Sequence, residues 1–259
     1  MSRPPVRAIV WDFDNTLVDT RARNRSVTRR IIESLTGRDA DEYPALRTQD
    51  AYDRATHRTQ NWQDLYRVHF GLDADAVRAA GGLWTGLQLD DPTPTTWFGG
   101  IPAVVRDLQT WPQAIVSMNT SANILAVLET AGLASAFDLV IGCEEVRYRR
   151  QKPEPDGLIR CLEALTGMTS GTVFYVGDHP VDSECAANAN RALRERGAGL
   201  RVVSIGAAYG TVTDPASWDT EPEHRARDPH DVLAIVRAVA AAGIEAGAPL
   251  PRPDEMDNL

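Results

Sequence analysis

Two aspartates one residue apart close an apolar run. The stretch "AIVWDFDNTLVDT", residues 8–20, ends its hydrophobic part at Asp12 and Asp14. An unpaired carboxylate drawn toward a core costs several kcal/mol, comparable with the whole stability of a domain. Carboxylates placed this way call for a positive partner. At i and i+2 of an extended strand they project to the same side and can act on one reacting atom. Other polar residues stand at similar points, with Ser117 closing "AIVS", Lys152 in "QKPEP", Asp178 after "TVFYVG", and Asp182 one turn further on. Four carboxylates converging on one opening repel one another, which a hard divalent cation together with Lys152 would relieve. Magnesium fits best, since it takes oxygen ligands, few of them carboxylates, and keeps waters beside substrate phosphate oxygens.

These residues meet only if the chain builds a sheet that brings them to one edge. Short apolar runs at 8–11, 114–117, 137–142, 172–177 and 201–206 read as buried strands, and helical spacing separates the later ones. Strand alternating with helix predicts an α/β fold, a doubly wound parallel sheet. In such a sheet, ligands bind above the carboxyl ends of the strands, where all of these polar residues fall. The first two runs are about 100 residues apart, where a crossover needs roughly a dozen. Stripes at Val27/Ile31/Leu35, Leu65/Tyr66/His69 and Val77/Ala80/Trp84/Leu87 predict a helical insert in that gap, and "DDPTPTTWFGGIP" returns the chain to the sheet. The expected layout is an α/β core at 1–19 and 98–246, a helical cap with hinge linkers at 20–97, and a loose acidic tail at 247–259.

A net charge of −9 removes any general attraction to nucleic acid or to an anionic membrane. Neither a secretory signal nor an apolar run long enough to span a bilayer is visible, so the cytoplasm is the expected compartment. Cys143, Cys161 and Cys185 are too scattered for a disulfide framework and read as reduced core residues. Arginines cluster in "TRARNRSVTRR" and "RYRRQK", where the common use is a solvated helix face.

"DFDNTL", "IVSMNTS", "KPEP" and "VGDHPVD" stand in the order and approximate spacing of the four motifs of the haloacid dehalogenase superfamily, whose first motif is D-x-D-x-T. The chain resembles that family from about residue 6 to 210, with its insert where the first type of cap domain belongs. The resemblance implies a Rossmann-like core and a magnesium-dependent phosphatase acting on a small phosphorylated metabolite. It implies Asp12 as the nucleophile that becomes an aspartyl-phosphate and Asp14 as the acid that protonates the leaving oxygen and then activates water. Ser117 and Lys152 would hold the phosphoryl oxygens. Magnesium would sit on Asp12, Asp14 through its backbone carbonyl, and Asp178. Asp182 is a further candidate, on metal waters or in positioning Lys152. Asn15 stands where the family frequently has glycine. Asn119, His179 and Arg21 are candidate substrate contacts, with an exposed helix start as the competing use of Arg21. In general layout the chain is similar to phosphoglycolate phosphatases. A phosphomutase of the β-phosphoglucomutase type shares the nucleophile and acid, and a non-catalytic binding protein on the same fold is the alternative of another class. Neither substrate nor oligomeric state is assigned.

Overall fold

The computed structural model describes residues 5–59 and 61–242. Among the described residues, 5–17 with 97–242 form one compact unit and Val18–Thr96 a second. The boundaries fall one or two residues before those read from the sequence, because the short strands β2 (Val18–Asp19) and β3 (Thr96–Trp97) pair with each other where the chain leaves and returns. The tail expected at 247–259, like the end of the core range at 243–246, lies outside the described residues.

The first unit is built on β1 (Val6–Trp11), β4 (Gln113–Val116), β5 (Leu139–Ile141), β6 (Gly171–Gly177), β7 (Leu200–Ala207) and β8 (His224–Ala226). They form one sheet in the order β5-β4-β1-β6-β7-β8, and every pairing is parallel. Strand β8 escaped the sequence reading. It is three residues of alternating exposure, His224 and Ala226 buried with Arg225 exposed, too short to show a period. The central strands are buried on both faces, which is why they read as continuous apolar runs.

Helices α5 (Ile101–Asp107), α6 (Ser121–Thr130), α7 (Asp156–Thr166), α8 (Pro180–Glu195) and α9 (Pro229–Ala242) fill the connections. Alternation along β1 splits its side chains between two layers. Ala8 and Val10 join a cluster with Leu158 and Leu162 of α7 and Cys185 and Ala189 of α8. Trp11 turns the other way, where its Nε1 donates to Gln113 Oε1 at 3.0 Å and Gln113 Nε2 donates to the Val105 carbonyl of α5 at 2.7 Å. Cys161 and Cys185 are buried thiols, as expected. Cys143 is only half-buried, because it opens a short 3-10 turn, Cys143–Glu145, outside the helix cores.

The second unit holds α1 (Arg21–Thr36), α2 (Gln49–His57), α3 (Trp62–Phe70) and α4 (Ala74–Asp90). Val27 and Ile31, Tyr52 and Ala55, Leu65 and Tyr66, and Val77 and Ala80 bring one stripe from each helix to a common core. The sequence reading found three of these stripes and missed α2. Its buried apolar face is only Tyr52 and Ala55, and Tyr52 is fixed by a polar contact, its hydroxyl 2.9 Å from that of Thr28. Among the described residues, no helix is long and apolar enough to cross a membrane.

Candidate active site

The register of the sheet brings the site together. Trp11 lies level with Ile115 of β4 and with Val176 of β6, so the residues that next leave these strands share one edge. Asp12 is tied there by its own backbone, its N–H donating to the Val176 carbonyl at 2.8 Å. Phe13 plunges into the core and its carbonyl accepts from Leu17 N at 3.0 Å, closing a tight turn around Asp14, Asn15 and Thr16. That turn needs a left-handed residue at its centre, and Asn15 supplies it with φ of 58°. Asparagine is among the few non-glycine residues that tolerate this region, which accounts for its presence where glycine is frequent in the family it resembles.

Lys152 is the only lysine in the sequence. Its buried Nζ donates to Asp12 Oδ1 at 2.8 Å and to Asp182 Oδ1 at 2.7 Å. The ammonium also lies 5.2 Å from the centre of the Tyr175 ring, and the Tyr175 hydroxyl donates to Asp182 Oδ1 at 3.1 Å. Asp182 Oδ2 accepts from His179 N at 3.2 Å, so both of its oxygens are engaged. Asp178 is buried as well, and its Oδ1 accepts from Thr16 Oγ1 at 3.2 Å.

Oxygens of Asp12, Asp178 and Asp182 lie within 4.8 Å of one another, all buried. Three carboxylates facing one ammonium leave two negative charges uncompensated, a deficit that a divalent cation fits in charge and in ligand type. The same crowding governs their protonation. Burial pushes Asp12 up to about 6, against the pull of Lys152 and with a further push from Asp182. Burial raises Asp178 well above the usual carboxylate range, helped by the charges of Asp12 and Asp182. Burial opposes the charge on Lys152, but Asp12 and Asp182 outweigh it and hold the ammonium above the ordinary lysine range.

Ser117 follows β4 at the same edge and lines a small buried cleft together with Lys152. Its N–H donates to the Ile141 carbonyl at 3.0 Å and its Oγ accepts from Asn119 N at 3.2 Å. Asn119 bridges to the first loop, where its Nδ2 donates to Asp14 Oδ1 at 3.3 Å, while its Oδ1 accepts from Thr120 N at 2.8 Å. Asp14, Asp12, Lys152, Asp178 and Asp182 are thus joined to their neighbours by short polar contacts. His179 is the N-cap of α8, its Nδ1 accepting from Val181 N at 3.3 Å. Arg21 opens α1 in the second unit, and its Nε donates to Asp19 Oδ1 at 2.9 Å. The pairing with Asp19 makes that guanidinium part of a local ion pair.

A family model for haloacid dehalogenase-like hydrolases matches residues 9–193. The chain belongs to the haloacid dehalogenase-like hydrolases. It is 25% identical to a phosphoglycolate phosphatase of Cereibacter sphaeroides over 69% of this chain and 79% of that protein. It is 23% identical to the pyrophosphatase PpaX of Listeria monocytogenes over 90% of this chain and 97% of that protein. Among solved structures, a haloacid dehalogenase-like family hydrolase from Streptococcus pneumoniae superposes with a TM-score of 0.66 at 16% identity, covering 89% of this chain and 98% of that one.

Sequence reasoning on this hydrolase missed three contributors. Thr16 ends the D-x-D-x-T pattern, and that pattern was the signal for its bond to Asp178. Tyr175 sits in a run that reads as plain buried strand, and nothing local marks its hydroxyl as a donor to Asp182. Gly210 lies far along the chain, yet a Cβ there would stand 1.6 Å from the Asn15 carbonyl oxygen and 3.2 Å from Asp178 Cβ. Only a glycine lets the two loops approach so closely.

Proposed function

We propose that this hydrolase is a magnesium-dependent phosphatase that cleaves a small phosphorylated metabolite through an aspartyl-phosphate on Asp12. The observation that carries the reading is the buried set of Asp12, Asp178 and Asp182 around the chain's one lysine, which holds Asp12 at 2.8 Å. Phosphate monoesters are among the slowest bonds to hydrolyse, and rate gains up to about 10²¹ are known. The protein's task in such a transfer is chiefly to position the groups and to offset charge.

An oxygen of Asp12 attacks phosphorus as the ester oxygen leaves, and Asp14 gives that oxygen its proton. Asp14 then takes a proton from a water whose oxygen attacks phosphorus, which frees inorganic phosphate and restores the Asp12 carboxylate. Lys152 and Ser117 face the phosphoryl oxygens and stabilise the charge gathered on them. Asn119 holds the Asp14 carboxyl in place through the bond of its Nδ2. Asp182 and Tyr175 hold Lys152 against Asp12. Magnesium, held by Asp12, Asp178 and the Asp14 backbone carbonyl, would supply Lewis-acid stabilisation of the phosphoryl group. The bonds already made by both Asp182 oxygens favour a positioning role for that residue over a place on the ion. The relatives support a small substrate, since phosphoglycolate and pyrophosphate each carry a second anionic group beside the phosphoryl group.

The test is turnover of p-nitrophenyl phosphate with magnesium. Asp12→Asn is expected to lower kcat by at least about a thousandfold with the fold retained. Asp14→Asn is expected to accumulate protein heavier by one phosphoryl group in the intact mass. Turnover by Asp12→Asn at the wild-type rate overturns the reading.

A further inference from the structure

Beside the candidate site, the loop that follows β7 forms one wall of an open cleft of about 430 Å³, with Thr211, Val212, Asp214, Pro215, Arg225 and Arg227 on its lining. The loop is ordered by its own side chains. Thr213 N donates to Thr211 Oγ1 at 3.2 Å, Trp218 Nε1 donates to Thr213 Oγ1 at 2.9 Å, and Ala216 N donates to Asp214 Oδ1 at 2.9 Å. Its near end touches the candidate site, for Gly210 packs on the Asn15 carbonyl and on Asp178, and Thr211 is the next residue. The far wall is the edge strand β8, whose Ala226 carbonyl accepts from Ala208 N at 2.8 Å. Arg225 within the strand and Arg227 just past its end flank Ala226, and both line the cleft.

Most arginines of the basic stretch "TRARNRSVTRR" are already committed. Arg21 pairs with Asp19, Arg29 with Asp41, and Arg30 with Asp90 and Asp91. By contrast, Arg227 has no ion pair among the described residues, and Arg225 reaches only Asp214, at 3.8 Å and exposed. Two guanidinium groups against one carboxylate leave this cleft positive in a chain of net charge −9. A positive cleft whose lining starts one residue from a contact of Asp178 suits an anionic group attached to whatever occupies the site.

We propose that this cleft is a subsite for a second anionic group of the phosphorylated substrate, recognised by Arg225 and Arg227. The proposal rests on the phosphatase reading given above. Its reach selects phosphate esters whose leaving group carries a carboxylate or a further phosphate at a fixed distance from the reacting phosphorus.

The experiment compares ethyl, propyl and butyl phosphate with phosphates of the same chains ending in a carboxylate or a second phosphate. At one chain length, the anionic form is expected to exceed its neutral partner roughly tenfold in kcat/KM, the scale of two partly exposed charge pairs. The carboxylate and bisphosphate arms report which anion the subsite prefers. In R225Q/R227Q that ratio is expected to fall toward one, and V212E, which sets a negative charge on the cleft lining while keeping both arginines, is expected to lower it as well. A ratio near one at every length, or a ratio that survives in both variants, overturns the subsite while hydrolysis of the plain esters leaves the phosphatase reading standing. Hydrolysis of no phosphate ester by folded, magnesium-loaded protein overturns both.

Discussion

Replacing Gly210 with alanine tests whether the close approach of two distant loops sets the geometry of the site. The added Cβ would lie 1.6 Å from the Asn15 carbonyl oxygen and 2.8 Å from its carbonyl carbon. A carbon and a carbonyl oxygen rest at about 3.3 Å or more, so one loop must retreat by roughly 1.7 Å. Backbone, not a flexible side chain, stands in the way. The retreat moves the turn that carries Asp14 on one side of Asn15 and Thr16 on the other, and Thr16 takes with it the 3.2 Å bond to Asp178. A displacement of about 1 Å in a reacting group costs on the order of a hundredfold in rate, so Gly210→Ala is expected to lower kcat on p-nitrophenyl phosphate by about two orders of magnitude. Overpacking of this kind costs about 2 kcal/mol, visible as a fall of several degrees in Tm. The matched control is Gly82→Ala in α4, where the new methyl group meets no atom within 4 Å and stability should hold or rise. If Gly210→Ala turned over within about threefold of the wild type at unchanged Tm, the contact would have no hold on the catalytic turn, and the reasoning would fail.

Protonation offers another handle. Burial raises Asp12 to about 6 in the folded protein from 3.8, so the native state keeps a proton there that the unfolded chain has lost. Stability from this residue is therefore present at low pH and declines as pH rises from about 4 through about 6. In EDTA, the Tm of the wild type is expected to fall relative to Asp12→Asn across that window, and a parallel course of the two proteins would contradict the assignment. Magnesium should restore the wild type at the high end, since binding requires the ionised carboxylates. Tyr175→Phe removes a fully buried donor to Asp182 while keeping the ring beside Lys152. It is expected to cost about 1 kcal/mol in urea unfolding, and a neutral result would show that Asp182 has no need of the hydroxyl.

The main chain of the site was legible because its information is local. Each of Asp12, Ser117 and Asp178 leaves an apolar run at its carboxyl end, and a parallel sheet brings those ends to one edge whatever the connections do. Lys152 and Asp14 were readable from the motifs that hold them. What stayed hidden lies in contacts between remote segments. Gly210 is one glycine among 19, and only the packing of its loop on Asn15 sets it apart. Strand β8 and helix α2 were lost for another reason, since each buries so few side chains that no period emerges from them. His179 was readable as a polar neighbour of Asp178, whereas its ring is spent on a backbone N–H at the start of α8.

The solitary lysine has a practical meaning. Every other basic side chain among the chain's 27 lysines and arginines is an arginine, so reagents that acylate primary amines have one side-chain target, and it is 6% exposed between two carboxylates. Apart from the terminal amine, covalent labelling of the native enzyme thus reports how often this amine is freed from its two carboxylates and deprotonated. A metal or a phosphate analogue that slows the reaction would reveal its own occupancy there, without any substrate having to be known.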